Sequence, residues 1–422
     1  MSDSEIGTAT ATEPSTARQQ AIDSARSWLL VALGVCMLTT IWGVIFTFTV
    51  YAGRLSTAFD LTGLQASSVF SITTAVFLVS GGVFGVVAAR FPLRPVVAAA
   101  GVGLAVAAAG LGAVDSYVGV IAAFALLGTA GGTAFIVVVS LVPQWFDAHE
   151  GTAMGITMAG NGLGVLIVPF AWLWLFDRVD FPTAFAAVAG AAAVVVILSS
   201  LVFRRPPGHS ETTSTVGVDW LRRRLADRSF VGAALGYGLL WGWYYVLSSQ
   251  LVDILTGNGV DAAVAAGAFG IVGGVSIVAR VGGGFVGDRL GARNVFAACV
   301  ALTAACVLVL PAVGSRPALY AVLVGFGIGN GTLAALWSPI VLTRFGSENA
   351  TATVGLLNTS TAGAAFLSPL AISALRGVTG GYTVPLVALA LVTAVGVALF
   401  HWGTAPASER GVLERAFRIA SD

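Results

Sequence analysis

Twelve separate apolar runs, most of them twenty to twenty-seven residues long, constrain this chain more than anything else in it. A helix rises about 1.5 Å per residue, so about 20 apolar residues carry it across a bilayer. Inside hydrocarbon the backbone must satisfy its own hydrogen bonds, which leaves helices and closed barrels as the only spanning forms. The runs cover 28–52, 67–89, 93–113, 117–142, 152–176, 182–203, 230–255, 262–287, 294–313, 317–343, 351–375 and 382–402. They are too long and too continuous for barrel strands, which alternate over about ten residues. With 57% apolar and only 10% charged residues among 422, an ordinary soluble globule is excluded. The expected fold is an all-α membrane protein with twelve transmembrane helices. Its 53 glycines suit helices whose backbones approach closely in lipid.

One interruption is long. Residues 204–229 hold Pro206, Pro207, a Ser/Thr patch and then VDWLRRRLADR. In that segment Val218, Leu221 and Leu225 share a helical face and Arg222, Arg223, Arg224 and Arg228 crowd the other, which fits a helix on an anionic membrane surface. A solvated linker that only fixes topology fits equally. The expected organisation is a disordered cytoplasmic tail over 1–27, a six-helix bundle over 28–203, the linker over 204–229, a second bundle over 230–403 and a tail over 404–422. A cleaved signal peptide is not expected, because no basic segment leads into the first run.

All 21 basic residues are arginine. With both termini cytoplasmic, sixteen fall on inside segments and only Arg54, Arg178, Arg316 and Arg376 outside, so a multi-pass protein of the cell membrane with both ends inside is expected. The absence of lysine removes Schiff-base and P-loop chemistry. A net charge of +1 with no basic stripe offers nothing to nucleic acid. Cys36, Cys299 and Cys306 lie in apolar runs without metal-ligand spacing, and His149-Glu150 lacks a second histidine, Ala153 standing in its place. The protein is not expected to be an enzyme, and no cofactor or metal is expected. Asp253 and Asp261 flank an outside loop and read as solvated.

Two signatures repeat. Gly85, Arg90 and Arg94 after the second run correspond to Gly284, Arg289 and Arg293 after the eighth, at an offset of 199. Gly155 and Pro169 correspond to Gly355 and Pro369, at an offset of 200. Two such matches indicate two pseudo-symmetric six-helix halves. Between them one charge stands out. Arg280 lies about seven positions inside the eighth run, where a cation costs about 2.5–3.5 kcal/mol even on lenient insertion scales. It is read either as the anchor for an anionic solute or as a gate or snorkelling residue near the headgroups. Asn161, Trp241, Tyr244, Tyr245, Asn330, Trp337 and Asn358, at comparable depth, are the other candidates for lining a substrate site. Each is equally readable as packing glue or an interface anchor.

The stretch GFVGDRLGAR, with Gly284, Asp288, Arg289, Gly291 and Arg293, resembles the loop signature of the major facilitator superfamily, repeated less fully in GVVAARFPLR. Within that superfamily the chain looks like the monocarboxylate and oxalate/formate transporter group. AFDLTGLQASSVFSI, WFDAHEGTAMGITMAGNGLG and IVARVGGGFVGD carry the likeness, and Arg280 falls on the group's substrate-binding arginine. The resemblance implies the major facilitator fold, alternating access, a small organic anion (mono- or dicarboxylate) as substrate and gating by the repeated loop motif. A coupling ion is possible within that scheme, the bilayer is the other partner, and a monomer is expected. The sequence also departs from these patterns. In the superfamily signature Ala89 replaces the acid and Pro92 the later glycine of the first copy, and Phe124 stands near the fourth-helix arginine. Within the group, Ser276 stands where proton-coupled members carry Asp, Phe46 lies near the place of a first-helix lysine, the eleventh-helix lysine has no counterpart, and His149-Glu150 replace a basic pair. Alternatives are an exporter of amphipathic drug-like compounds and, from another class, a non-transporting sensor on a carrier fold.

Overall fold

The computed structural model describes residues 22–87, 92–146, 149–206, 218–313, 315–346 and 350–406. Sixteen α-helices follow one another. The first half holds α1 (Ala25–Ile45), α2 (Phe48–Phe59), α3 (Gly63–Val87), α4 (Leu93–Gly110), α5 (Tyr117–Leu141), α6 (Glu150–Phe176) and α7 (Phe181–Ser200). A short helix, α8 (Val218–Ala226), follows, and then α9 (Arg228–Leu240), α10 (Gly242–Gly257), α11 (Ala262–Leu290), α12 (Ala292–Val309), α13 (Arg316–Phe345), α14 (Ala350–Thr359), α15 (Thr361–Thr379) and α16 (Thr383–Thr404). They make twelve spans long and apolar enough to cross a membrane. The seventh and eleventh spans are each made of two helices, and α2 follows the first span after a break at Phe46-Thr47.

Local chemistry sets the helix starts. Ser116, Asp227, Asp261 and Ser315 each accept a backbone N–H of the following turn, filling donors the helix itself leaves open. It also sets the breaks. Just after the first span the Thr47 hydroxyl bonds back to the Gly43 carbonyl, and Trp172 Nε1 donates to the same hydroxyl at 3.0 Å. In the eleventh, Ser360 Oγ donates to Ala234 of α9 at 2.6 Å, which pins the break against the seventh span. Hydroxyls that bond back along a helix are a known source of bends.

Within the first half α3 packs on α5, α1 on α6 and α4 on α7; in the second, α11 packs on α13 and α9 on α16. Glycine allows the closest of these approaches. A Cβ on Gly132 of α5 would sit 2.0 Å from the Phe77 carbonyl oxygen of α3. Each half builds its own apolar core, and the bundles meet along α6 with α11, α3 with α15 and α2 with α10. Where α6 crosses α11 the contact is main chain on main chain: a Cβ on Gly273 would lie 2.7 Å from the Gly162 carbonyl oxygen.

An even number of spans puts the first and last helices' free ends on one face, here the terminal face. On the opposite, far face the bundles are sealed. Val252 N of α10 donates to Thr49 Oγ1 of α2 at 2.8 Å, and Gln250 Nε2 reaches Ser67 Oγ at 3.5 Å and the Pro369 carbonyl at 2.9 Å.

Candidate functional site

Arg280 lies on the face of α11 that meets α6. Its Nη1 donates to the Met158 carbonyl of α6 at 2.9 Å, so the cation ties one bundle to the other. Its Nε is buried without a hydrogen-bond partner. The Tyr244 phenol of α10 lies within electrostatic reach of the guanidinium. Two turns toward the far face along the same seam, Gly273 of α11 lets α6 approach, and this close crossing holds Arg280 at the junction of the sixth, tenth and eleventh helices rather than in the lipid.

An aromatic wall continues from Tyr244. It meets Phe46 of the first span at 5.7 Å between ring centres and Trp241 at 5.7 Å. Phe46 stacks on Trp42 at 4.7 Å, and Trp42 contacts Phe77 and Phe135 at 5.5 and 5.1 Å. Trp42, Trp241 and Tyr244 each pack against both bundle cores. They and Phe135 are half-buried. Stacked and tilted rings at these distances make a stiff apolar surface.

Of the residues expected to line a site, Asn161 joins Arg280. It stands one turn beyond Met158 on α6, contacts the Met158 sulfur at 3.8 Å and leaves its Oδ1 buried and unpaired. Trp241 belongs to the wall and sits at the break of the seventh span. Trp337 joins it only through Tyr237, whose ring it meets at 4.5 Å. Tyr245 turns instead to the eleventh-span break and donates to Thr361 at 3.3 Å. Asn358 is half-buried in the last turn before that break, and its carbonyl accepts from Thr361 Oγ1 at 2.7 Å. Asn330 faces a separate void of about 10 Å³ inside the second bundle, lined by Leu240, Trp241, Trp243, Phe296 and Leu333. Ser276, where proton-coupled carriers hold an acid, donates to Gly273 and turns its backbone to Gly331 of α13.

The loop motif lies at the terminal face. Gly291 takes φ +86° between α11 and α12, a left-handed conformation that glycine adopts freely. Arg289 lies over the Phe285 ring at 4.0 Å, Arg293 donates to the His401 carbonyl at 3.1 Å, and Gly284 faces open space. Arg94 is exposed on the first turn of α4. Arg90 and the side chain of Asp288 lie outside the described residues, and Gly85 is placed only as part of α3.

Sequence reasoning missed Trp42, Phe77 and Phe135 and noted Phe46 only as a substitution. Asp253, expected to lie in solvent, sits on α10 with its Oδ2 3.7 Å from Arg376 Nη1.

Twelve spans in two bundles, with Arg280 and an aromatic cluster where the bundles meet, make a polytopic membrane protein. The chain belongs to the Major Facilitator Superfamily, whose sequence model matches residues 29–369. Monocarboxylate transporter 13 of Rattus norvegicus is 22% identical over 375 residues, covering 88% of this chain and 87% of the relative. MFS transporter asaE of Aspergillus flavus is 28% identical over 259 residues, 58% of this chain and 55% of that one. Among solved structures, a bacterial homologue of the human lysosomal transporter Spinster, inward-facing and unoccupied, superposes with a TM-score of 0.73. At 14% identity it covers 90% of this chain and 98% of its own, and that likeness concerns the fold.

Proposed function

We propose that the protein is a secondary active transporter of a small monocarboxylate with an apolar or aromatic body, moved by alternating access. One observation carries the reading: a half-buried guanidinium stands at the bundle seam with Nε unpaired, beside an aromatic wall shared by both halves. A buried donor without an acceptor costs about 1–3 kcal/mol. A carboxylate removes that cost, because its two oxygens fit the planar guanidinium in a bidentate pair. Arg280 is the one cation among the described residues of this site, which favours one carboxylate over two. The wall from Trp42 to Tyr244 receives the rest of the solute.

Binding also acts on the seam. A carboxylate competes with the Met158 carbonyl for Nη1, so loading loosens a tie between the bundles. The loaded carrier then rocks more readily than the empty one, which is what exchange requires. The excess of arginine on inside segments assigns the terminal face to the cytoplasm of the cell and the far face to the outside. The loop motif at Gly291 is the hinge of the inner gate in this scheme.

The test is counterflow in proteoliposomes across a panel of radiolabelled monocarboxylates, with Arg280→Lys beside the parent. The lysine keeps charge but loses the bidentate fork, and exchange drops about tenfold or more while the protein still folds. Unchanged saturable exchange in the variant sinks the anchor role. A second reading, export of amphipathic compounds, draws on the aromatic wall. It requires the neutral amide of an aromatic acid to compete as well as the acid itself.

A further inference from the structure

A second polar space lies at the far end of the seam. It is a small cleft with a cavity volume of about 50 Å³, partly open to the surface. Its first-bundle wall is small and uncharged, with Gly53, Ser56 and Ser67 facing inward; its second-bundle wall carries Gln250, Asp253, Arg376 and Tyr382. Arg376 Nη1 donates to the Tyr382 hydroxyl at 2.7 Å, with its guanidinium 4.5 Å above that ring. Burial pushes the Tyr382 phenol up, with Asp253 adding to the effect, so it stays a neutral acceptor for the guanidinium. Asp253 approaches the same guanidinium only to 3.7 Å, beyond hydrogen-bond length, so most of the fork is uncommitted.

We propose that this chamber is a second carboxylate station, with Arg376 as its anchor and Asp253 as a built-in competitor for the guanidinium. The inference rests on the transport reading and on the orientation given above. The chamber and the central site share α10: from Tyr244 to Asp253 the helix advances about 14 Å. The bonds that part when the outer ends separate, Val252 to Thr49 and Gln250 to Ser67, border the chamber. Arg376 is already exposed at the far face, and opening to the outside extends that access inward toward Arg280. An incoming carboxylate meets Arg376 first, displaces the loose contact with Asp253 and is passed inward along α10. An anion arriving from the cytoplasm reaches Arg280 without passing this station, so the station sets affinity on one side only.

Sided transport kinetics test it, with radiolabelled phenylacetate as probe in right-side-out and inside-out vesicles of the full chain. Arg376→Gln raises the outer KM about tenfold, the scale of a lost charged hydrogen bond, and leaves the inner KM unchanged. Asp253→Asn lowers the outer KM several-fold, because the competitor is gone. Arg376→Lys, which keeps the charge, falls between the parent and the glutamine variant. An equal KM shift on both faces, or an outer KM that rises in Asp253→Asn as it does in Arg376→Gln, overturns the station and leaves only a structural latch. Normal transport by the parent with an unmoved outer KM in Arg376→Gln removes the station alone. A parent that moves no carboxylate removes the transport reading and the station with it.

Discussion

In the proposed reading, Arg280 and the rings beside it divide the work of recognition. The guanidinium would fix the charged end of the solute, and the rings would set how much apolar body is rewarded. Removing a ring therefore changes selectivity more than it changes the ability to hold a carboxylate. In Trp42→Ala the KM for phenylacetate rises about three- to tenfold, the loss expected for one stacked face, while the KM for acetate barely moves; competition assays over both acids give the ratio. An equal loss for both acids shows that Trp42 supports the bundle instead. Asn161 acts differently. Its unpaired Oδ1 lies beside the Met158 contact of Arg280, so Asn161→Ala removes a buried unsatisfied acceptor without removing charge. Measured by thermal unfolding, that variant is at least as stable as the parent, because an unpaired buried acceptor is itself a cost.

At the scale of helices, glycine decides how near two spans come. Gly132 of α5 leaves no room for a Cβ against the α3 backbone, and main chain yields less easily than a side chain. Gly132→Val forces α3 and α5 apart and costs about 1–3 kcal/mol or more, read as a lower unfolding temperature in detergent. Gly155, with nothing near its Cβ position, is the control, and Gly155→Ala leaves that temperature unchanged.

The spans themselves were legible in the sequence because each is a long apolar run bounded by charge or a capping residue. The three breaks were not. Thr47 and Ser360 look like any hydroxyl in an apolar run, and they bend their helices through partners that come from other spans. The site divides in the same way. Arg280 was visible because a charge in hydrocarbon is rare and needs a reason. The wall was not, because Trp42, Phe77 and Phe135 sit in segments apolar on every side, where helical periodicity cannot separate a ring facing the seam from one facing lipid. Asn330 shows the converse: its depth matched the site, but its helical face turns it into the interior of one bundle.

Over the whole molecule, transport depends on how tightly the far face is sealed. The Thr49 hydroxyl accepts the Val252 N–H across the seam, and Thr49→Val keeps the side chain's shape while removing that acceptor. A bond of about 1 kcal/mol shifts the balance toward the outward-open form about fivefold. Double electron–electron resonance between spin labels on the outer ends of α2 and α10 reads the shift as a larger long-distance population. An unchanged distribution means that the seal is carried by packing alone.

The crossing of Gly162 and Gly273 has one more consequence. Bearings in machines fail where a moving surface must deform to pass its neighbour. Here the parts that meet are peptide groups flanked by only two branched side chains, Ile277 and Val165, so a tilt of one half against the other asks few side chains to repack at this crossing.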